Sequence, residues 1–166
     1  LSIYPLCLSK FKKLSNSKFV FKTTLSKNKK SALGILDIST KKIKIRDDIL
    51  IQQIDGLFDT DGGLITNSNK IIYTYLYRNQ YIIIDDKLDS ISYGKTIDTT
   101  SIAQIKLHSL SNGATKMIAP PLKVNEYQTT HNNILFNISR LKGKYESNNK
   151  WKNNKVVDLY DLSNSN

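Results

Sequence analysis

The sequence contains one cysteine, Cys7, and two histidines, His108 and His131, in 166 residues. A single thiol excludes an intrachain disulfide and a cysteine-rich metal site. No apolar run approaches the roughly 18 residues that a membrane-spanning helix needs. There is also no Gly-x-Ser-x-Gly elbow, no phosphate-binding glycine loop and no zinc-ligand spacing. We therefore predict no metal, no cofactor, no membrane span and no catalytic residues.

Arginine is scarce as well, since only three of the 25 basic residues are arginine. The formal net charge of +11 is uneven, at +9 in residues 1–50, −2 in residues 51–110 and +4 in residues 111–166. Surfaces that bind nucleic acids use the forked guanidinium group as well as lysine. The composition therefore favours solvated lysines over a nucleic-acid site, and a basic nucleic-acid-binding domain is an alternative only.

Strand patterns dominate the chain. Runs rich in Ile and Tyr, or alternating between apolar and polar residues, predict strands. They cover residues 18–25, 31–38, 63–68, 71–77, 80–85, 101–110, 133–139 and 155–162. Residues 46–56 could form a short helix between Asp47 as N-cap and Gly56, or an extended connector. Turn clusters of Gly, Asn, Asp and Ser separate the strands, which predicts an all-β chain of antiparallel meanders.

A weak repeat places an aspartate after an apolar strand in three segments. These segments are LGILDISTKKIKI (33–45), YIIIDDKLDSISY (81–93) and VVDLYDLSNSN (156–166). Each follows another strand, which predicts a meander whose aspartate caps the turn between neighbouring strands. Propeller blades are four-stranded meanders that repeat every 40–50 residues or so. Asp37 and Asp85 are 48 residues apart, in this range, whereas Asp85 and Asp161 are 76 apart and would need a long insertion or a skipped unit. The repeat therefore gives only weak support for a propeller. A single open β-domain or a barrel is the alternative.

Three motifs carry a family resemblance: YRNQY (77–81), GKTIDTT (94–100) and APPLKVN (119–125). From about Lys18 to its C-terminus the chain resembles a family of TolB-like, six-bladed β-propeller-like proteins of Bacteroidota, many of them predicted lipoproteins or exported proteins. The resemblance implies a propeller and an extracytoplasmic location, in the periplasm or at the outer membrane or cell surface. It implies no known activity.

A six-bladed ring needs roughly 240 residues at this repeat length. We therefore expect the chain to supply three to four blades of a longer protein. Residues 1–17 are interpreted as a connector or partial strand, and residues 18–166 as an incomplete propeller-like domain. The opening residues show no clear signal peptide. An incomplete propeller exposes apolar faces and strand edges, so we expect it to self-associate.

The candidate binding residues form a polar island between two apolar strands. In one interpretation Tyr77 belongs to a core aromatic stripe, and Arg78 and Asn79 form a two-residue hairpin loop. In the other, Tyr77, Arg78, Asn79 and Gln80 lie on one rim of a propeller, where loops bind ligands, and Trp151 adds an aromatic group.

Two aspartate motifs have simpler interpretations than catalysis or metal binding. DTDGG (59–63) resembles the start of a calcium loop, but only Asp59 and Asp61 are in phase, so a polar hairpin turn is favoured. Asp85 and Asp86 stand at a strand end, where aspartate ordinarily makes turn hydrogen bonds.

The function that these features favour is a non-enzymatic binding or scaffold module of the bacterial cell envelope. It would recognise a protein or a carbohydrate at one rim of the propeller. An enzyme whose site is split between blades is the alternative from another class.

Overall fold

The computed structural model describes residues 7–163, in which the strands form four antiparallel sheets. Sheet A contains β1 (Cys7–Lys13), β2 (Lys18–Thr24), β3 (Ser31–Asp37) and β4 (Lys42–Arg46). Sheet B contains β5 (Gly62–Asn67), β6 (Lys70–Tyr75), β7 (Gln80–Ile84) and β8 (Ile91–Lys95). Sheet C is the hairpin of β9 (Leu107–Ser109) and β10 (Thr115–Met117). Sheet D contains β11 (Asn125–His131), β12 (Ile134–Ser139) and β13 (Val156–Asp161).

The predicted all-β class is confirmed, and no barrel closes among the described sheets. The single helix of residues 7–163 is α1 (Asn148–Asn153), where Ser147 Oγ accepts a hydrogen bond from the Lys150 amide. No described helix is long and apolar enough to cross a membrane. The strand predicted over 101–110 shortens to 107–109, and residues 46–56 form no helix.

Part of the N-terminal segment 1–17 is a strand. Strand β1 lies within this segment and pairs antiparallel with β2 over the length of the sheet edge. Residues 1–6 lie outside the described part of the chain, as do residues 164–166 at the end of the third repeat segment.

The repeated aspartates cap turns, as the sequence predicts. Asp37 Oδ1 accepts a hydrogen bond from the Ser39 amide at 2.9 Å, at the turn between β3 and β4. Asp85 Oδ1 does the same for the Asp89 amide at 2.8 Å, between β7 and β8. Asp161 Oδ1 accepts from the amide two residues further on at 2.8 Å. The predicted turn between neighbouring strands is therefore confirmed in sheets A and B, whereas Asp161 follows the last described strand.

Sheet B lies between sheets A and D, and its two faces have separate cores. Side chains of sheet B that pack on sheet A are Leu64, Ile71, Tyr73, Tyr75, Ile82 and Ile84, which meet Val20, Leu33 and Ile35. Those that pack on sheet D are Ile72, Tyr81 and Ile83, which meet Leu135 and Leu162. Because β7 is buried on both faces, its sequence is a continuous apolar run rather than an alternating one.

Strands β1 and β5 lie beside each other and run in the same direction. At one end, Lys10 Nζ of β1 is 3.8 Å from Asp61 Oδ1, just before β5. Three residues further along β1, the carbonyl of Lys13 accepts a hydrogen bond from Thr66 Oγ1 of β5 at 3.0 Å. Because a later residue of β1 contacts a later residue of β5, the two strands run parallel.

Strand β11 lies on the other side of β5 and also runs parallel to it. Gln128 reaches the backbone of Gly63 near the start of β5, and Thr130 Oγ1 donates to the Thr66 carbonyl at 3.4 Å further along. The first strands of three sheets are therefore neighbours with a common direction. They meet around Thr66 and diverge toward their N-terminal ends.

The acidic turn of sheet B partly neutralises the basic N-terminal third of the chain. Lys18 Nζ is 2.6 Å from Asp86 Oδ2, and Lys44 Nζ is 2.5 Å from Asp89 Oδ1. Arg46 also lies 3.7 Å from Asp89. Such partly exposed pairs stabilise a fold by about 0–1 kcal/mol each. Their main consequence is to orient sheet A on sheet B and to reduce the charge available to an outside partner.

Candidate functional site

A groove of about 440 Å³ opens where the three first strands diverge. Its walls come from β1, from the start of β5 and from β11, with Leu76 at one side. Two aromatic side chains flank it: Phe11 of β1, which is 47% exposed, and Tyr127 of β11, which is 64% exposed. The groove therefore combines aromatic surface with the polar groups of three separate sheets.

The Gly62-Gly63 pair allows the groove to form, and the two glycines do so differently. A Cβ on Gly62 would overlap the carbonyl oxygen of Thr74 on the neighbouring strand, which is backbone and cannot move aside. A Cβ on Gly63 would overlap Oε1 of Gln128, which is the end of a flexible side chain. Both positions therefore need glycine: Gly62 because a neighbouring backbone approaches it, and Gly63 because the Gln128 side chain does.

We expect Gly62→Ala to lower the free energy of unfolding by about 1–3 kcal/mol, as overpacking next to fixed backbone does. Gly143→Ala is the matched control, because a Cβ there would lie 3.5 Å from Glu146 Cβ, an ordinary van der Waals contact, and it should change stability by less than about 0.5 kcal/mol. Urea unfolding of the two variants measures the difference. Equal losses would contradict the close approach described at Gly62.

A buried lysine lies beside the groove. Lys22 is 5% exposed, and its Nζ is 3.4 Å from both Asp61 Oδ1 and the Thr60 carbonyl. Burial lowers the pKa of Lys22, and the nearby Asp61 carboxylate offsets part of that effect. Lys10 also pairs with Asp61. One negative carboxylate therefore faces two positive ammonium groups, and this wall of the groove keeps a net positive charge.

The acidic residue on the opposite wall is also held by cations. Glu126 Oε2 is 2.9 Å from Lys155 Nζ, and Glu126 Oε1 is 3.4 Å from Arg140 Nε. The hydrogen bond from Lys155 lowers the pKa of Glu126, so this carboxylate is ionised at neutral pH. The exposed side chains of Lys12 and Tyr127 line the groove, whereas Gln128, which borders it, is only 6% exposed and packs on Gly63.

A chain of buried amides connects the groove to the polar island predicted from the sequence. Gln128 Nε2 donates to Asn137 Oδ1 at 3.0 Å, and Asn137 Nδ2 donates to Asn125 Oδ1 at 2.8 Å. Asn125 Nδ2 then donates to the carbonyls of Tyr75 at 2.7 Å and Arg78 at 3.0 Å. The orientation of Gln128 in the groove therefore depends on the connection between β6 and β7.

That connection is not a two-residue hairpin. Strand β6 ends at Tyr75 and β7 begins at Gln80, so four residues lie between them. Asn79 is not among the described residues with a positive φ. The longer loop is possible because other segments satisfy its backbone: the Asn79 amide donates to the Thr100 carbonyl at 2.8 Å, and the Asn79 side chain donates to the Asp98 carbonyl.

Three of the predicted site residues are buried. Tyr77, Arg78 and Asn79 are 7%, 1% and 7% exposed, and Gln80 is half-buried. The Arg78 guanidinium lies over the Tyr75 ring, 3.5 Å from its centroid, and Nη2 donates to the Ile51 carbonyl at 2.8 Å. Among the described residues, Nε and Nη1 of Arg78 have no hydrogen-bond partner.

Trp151 lies on α1 and is not part of the groove. Its Nε1 donates to the Arg140 carbonyl at 3.2 Å, and its ring borders a shallow depression together with Asp98. The structure therefore gathers Tyr77, Arg78 and Asn79 in one buried loop and places Gln80 next to them as the first residue of β7. It places Trp151 at a separate surface. Ligand binding by these five residues stays a prediction.

The DTDGG segment organises a loop rather than forming a hairpin turn. The Asp59 side chain is fully buried and accepts hydrogen bonds from the amides of Gln53, Ile54, Asp55 and Gly56. The loop that precedes β5 is therefore wrapped around one carboxylate. Within residues 7–163, no three acidic, histidine or cysteine side chains are grouped as a metal site.

Few features of the sequence indicate the groove residues. Lys10 and Lys12 looked like solvated lysines, and the segment of Gln128, NEYQTTH, is too polar to be predicted as a strand. One signal was available. Two consecutive glycines at the start of an apolar strand indicate a close backbone approach by another group, here by Thr74 and Gln128.

Comparison of the chain with protein-family models, with curated proteins and with solved structures found no match.

Proposed function

We propose that the protein is a non-enzymatic binding module of propeller-like architecture whose ligand occupies the groove between β1, β5 and β11. The observation that carries the proposal is the arrangement of the first strands of sheets A, B and D, which lie side by side and point the same way. In propellers, blades surround a central channel. A groove lined by these strands is the equivalent of one side of such a channel.

The chemistry of the groove favours a carbohydrate over a protein as the ligand. The exposed rings of Phe11 and Tyr127 offer flat apolar surface, on which the C–H face of a sugar ring can pack. The Lys12 ammonium supplies hydrogen-bond donors, and the hydroxyl group of exposed Tyr127 can donate and accept, for the hydroxyl groups of a sugar. A location in the bacterial cell envelope rests only on the TolB-like resemblance of the sequence.

The proposal is tested by titrating the isotope-labelled chain with maltohexaose, cellohexaose and an N-acetylglucosamine hexamer and following the backbone amide signals. We expect one of the three to shift the signals of Gly62, Gly63 and Gln128. Tyr127→Ala should weaken that binding about tenfold, equivalent to about 1.4 kcal/mol. Tyr145→Ala is the matched control, because Tyr145 is 91% exposed and lies outside the groove.

Three results would count against this function. If no probe shifts the groove signals, carbohydrate binding at this site is wrong. Shifts confined to Trp151 and Asp98 would place the ligand at the surface depression instead. Chromatography of the probe after incubation should recover it intact, and cleavage would favour the alternative of an enzyme with a site between sheets.

A further inference from the structure

Three lysines of β1 and β2 lie on the side of sheet A that faces the groove. Lys12 pairs with Val20, whose side chain belongs to the core between sheets A and B, so Lys12 also points to the side that faces sheet B. Lys10 is two residues away on β1 and therefore lies on the same side. Its partner across the two strands is Lys22, and residues directly opposite each other share a face. The three ammonium groups are therefore concentrated at one wall of the groove.

This wall holds one carboxylate between two of its lysines. Like charges directly opposite each other across two strands are destabilising, so Lys10 and Lys22 need an anion near them. Asp61 is that anion, with its Oδ1 at 3.8 Å from Lys10 Nζ and 3.4 Å from Lys22 Nζ. Lys12 lines the groove, is exposed and makes no ion pair within residues 7–163. One ammonium group of this wall is therefore left to pair with a second carboxylate.

The opposite wall does not balance this charge, because its carboxylate, Glu126, is paired with both Lys155 and Arg140. Each of the two acidic residues that line the groove therefore has two cationic partners. The groove and its ion pairs include Lys10, Lys12, Lys22, Arg140 and Lys155 against Asp61 and Glu126, a net charge of +3. Burial lowers the pKa of Lys22, but the net charge is +2 even if Lys22 is left out.

We infer that the carbohydrate bound in the groove is an acidic one, whose repeating sugar carries a carboxylate. This inference rests on the proposed function and adds the class of sugar to it. The groove already contains one contact of the required kind, since the Asp61 carboxylate lies between two lysine ammonium groups. Lys12 can bind a ligand carboxylate in the same way, while the exposed ring of Tyr127 on the opposite wall packs on the sugar ring.

The charge of the groove predicts how binding depends on salt. A hydrogen bond between an ammonium group and a carboxylate is roughly twice as strong as one between neutral groups. The attraction between exposed charges acts over about 30 Å at 0.01 M salt and over only about 3 Å at 1 M salt. An acidic sugar should therefore bind more tightly than its neutral counterpart at low salt, and this difference should disappear at high salt.

Matched pairs of oligosaccharides test the inference. Maltohexaose, cellohexaose and the N-acetylglucosamine hexamer are each compared with a derivative in which the C6 hydroxymethyl groups are oxidised to carboxylates. Affinities are measured from the backbone amide signals of Gly62, Gly63 and Tyr127. At about 0.01 M salt, we expect the oxidised form of one probe to bind about tenfold more tightly than its neutral parent. At about 1 M salt the two forms should bind equally.

A charge-removing substitution locates the effect in the groove. Lys12→Gln removes the ammonium group that makes no ion pair and should reduce the tenfold preference to about threefold or less at low salt. Lys27→Gln is the matched control, because Lys27 is exposed in the turn between β2 and β3, outside the groove, and loses the same charge. This control should keep the full preference. Equal reductions in the two variants would overturn the inference, because the attraction would then come from the charge of the whole chain.

The other results distinguish the class of sugar from the proposed function. If both forms of a probe bind the groove equally at low salt, the ligand is a neutral carbohydrate, which overturns the inference and leaves the proposed function in place. If no form of any probe shifts the groove signals, both are wrong. Single-stranded oligothymidylate is titrated as a further polyanion. Tighter binding of this probe than of every oxidised sugar, at the same amide signals, would overturn the inference in favour of a nucleic acid.

Discussion

Replacing Asp59 by alanine is expected to lower the free energy of unfolding by about 3–5 kcal/mol, because four backbone amides lose their acceptor at once. The carboxylate is fully buried and accepts from Ile54 at 3.1 Å, Asp55 at 3.3 Å and Gly56 at 2.6 Å, as well as from Gln53. These amides belong to a loop without helix or strand, so no neighbouring strand can replace the lost bonds. Urea unfolding monitored by circular dichroism measures the loss.

Asp48→Ala is the matched control for this experiment. The Asp48 side chain is 61% exposed and pairs with Arg46 at 2.6 Å on the surface. Loss of such a pair costs about 0–1 kcal/mol. If the two alanine variants were equally stable, Asp59 could not be the residue around which the loop is organised.

The same carboxylate should make the fold sensitive to acid. Burial on its own would raise the pKa of Asp59, but the amide of Gln53, the hydrogen bond with Asp55 and the amides of Ile54 and Gly56 outweigh it and lower the pKa. A folded pKa below the unfolded value contributes stability at neutral pH, which is lost as the pH falls below about 4 and through the folded pKa.

The pKa of Asp55 is shifted in the opposite direction, so its contribution to stability depends on pH in the opposite way. Burial and the hydrogen bond with Asp59 raise its pKa, so this group favours the folded state at low pH and loses that contribution as the pH rises. The contribution of Asp59 is measured by comparing the free energy of unfolding of the parent chain with that of Asp59→Asn between about pH 7 and pH 3. The parent should lose more stability on acidification, and parallel curves would exclude Asp59 as the source.

The strands were predictable where the residue types favour strands. In β2, Val20 faces sheet B and Phe21 the other side, and both are buried, so the β-branched and aromatic residues indicate the strand and burial itself does not alternate. The continuous apolar run of β7 was also recognisable, because both of its faces are covered. The aspartate turns were predictable from sequence because Asp37 and Asp85 bond to amides within four residues of themselves.

The polar island at residues 78–80 was harder to place because its partners are distant in the sequence. Its four-residue loop is held by Asn125, 47 residues away from Arg78, and by Asp98, 19 residues away from Asn79. Local residue preferences indicate a turn there, but they do not indicate that the turn is buried. The same limitation hid the groove, since β1, β5 and β11 approach each other only through the stacking of complete sheets.

Asn125→Ala is the second substitution with a large expected effect, a loss of about 2–4 kcal/mol in the free energy of unfolding. Asn125 is 1% exposed, and its side chain bonds to the carbonyls of Tyr75 and Arg78 and to the Asn137 amide. Alanine leaves all three groups buried and without that partner. Asn149→Ala, at an exposed position on α1, is the control and should change stability by less than about 0.5 kcal/mol.

A double-mutant cycle with Asn137→Ala distinguishes loss of the amide chain from a simple loss of volume. If Asn125 and Asn137 act as one chain, the double variant should lose less stability than the sum of the single variants, by about 0.5–3 kcal/mol. Additive losses would mean that each amide contributes alone. Because Gln128 donates to Asn137 at 3.0 Å, Asn137→Ala should also shift the amide signal of Gln128 without ligand. That shift would link the β6–β7 connection to the groove, since both depend on the same buried hydrogen bonds.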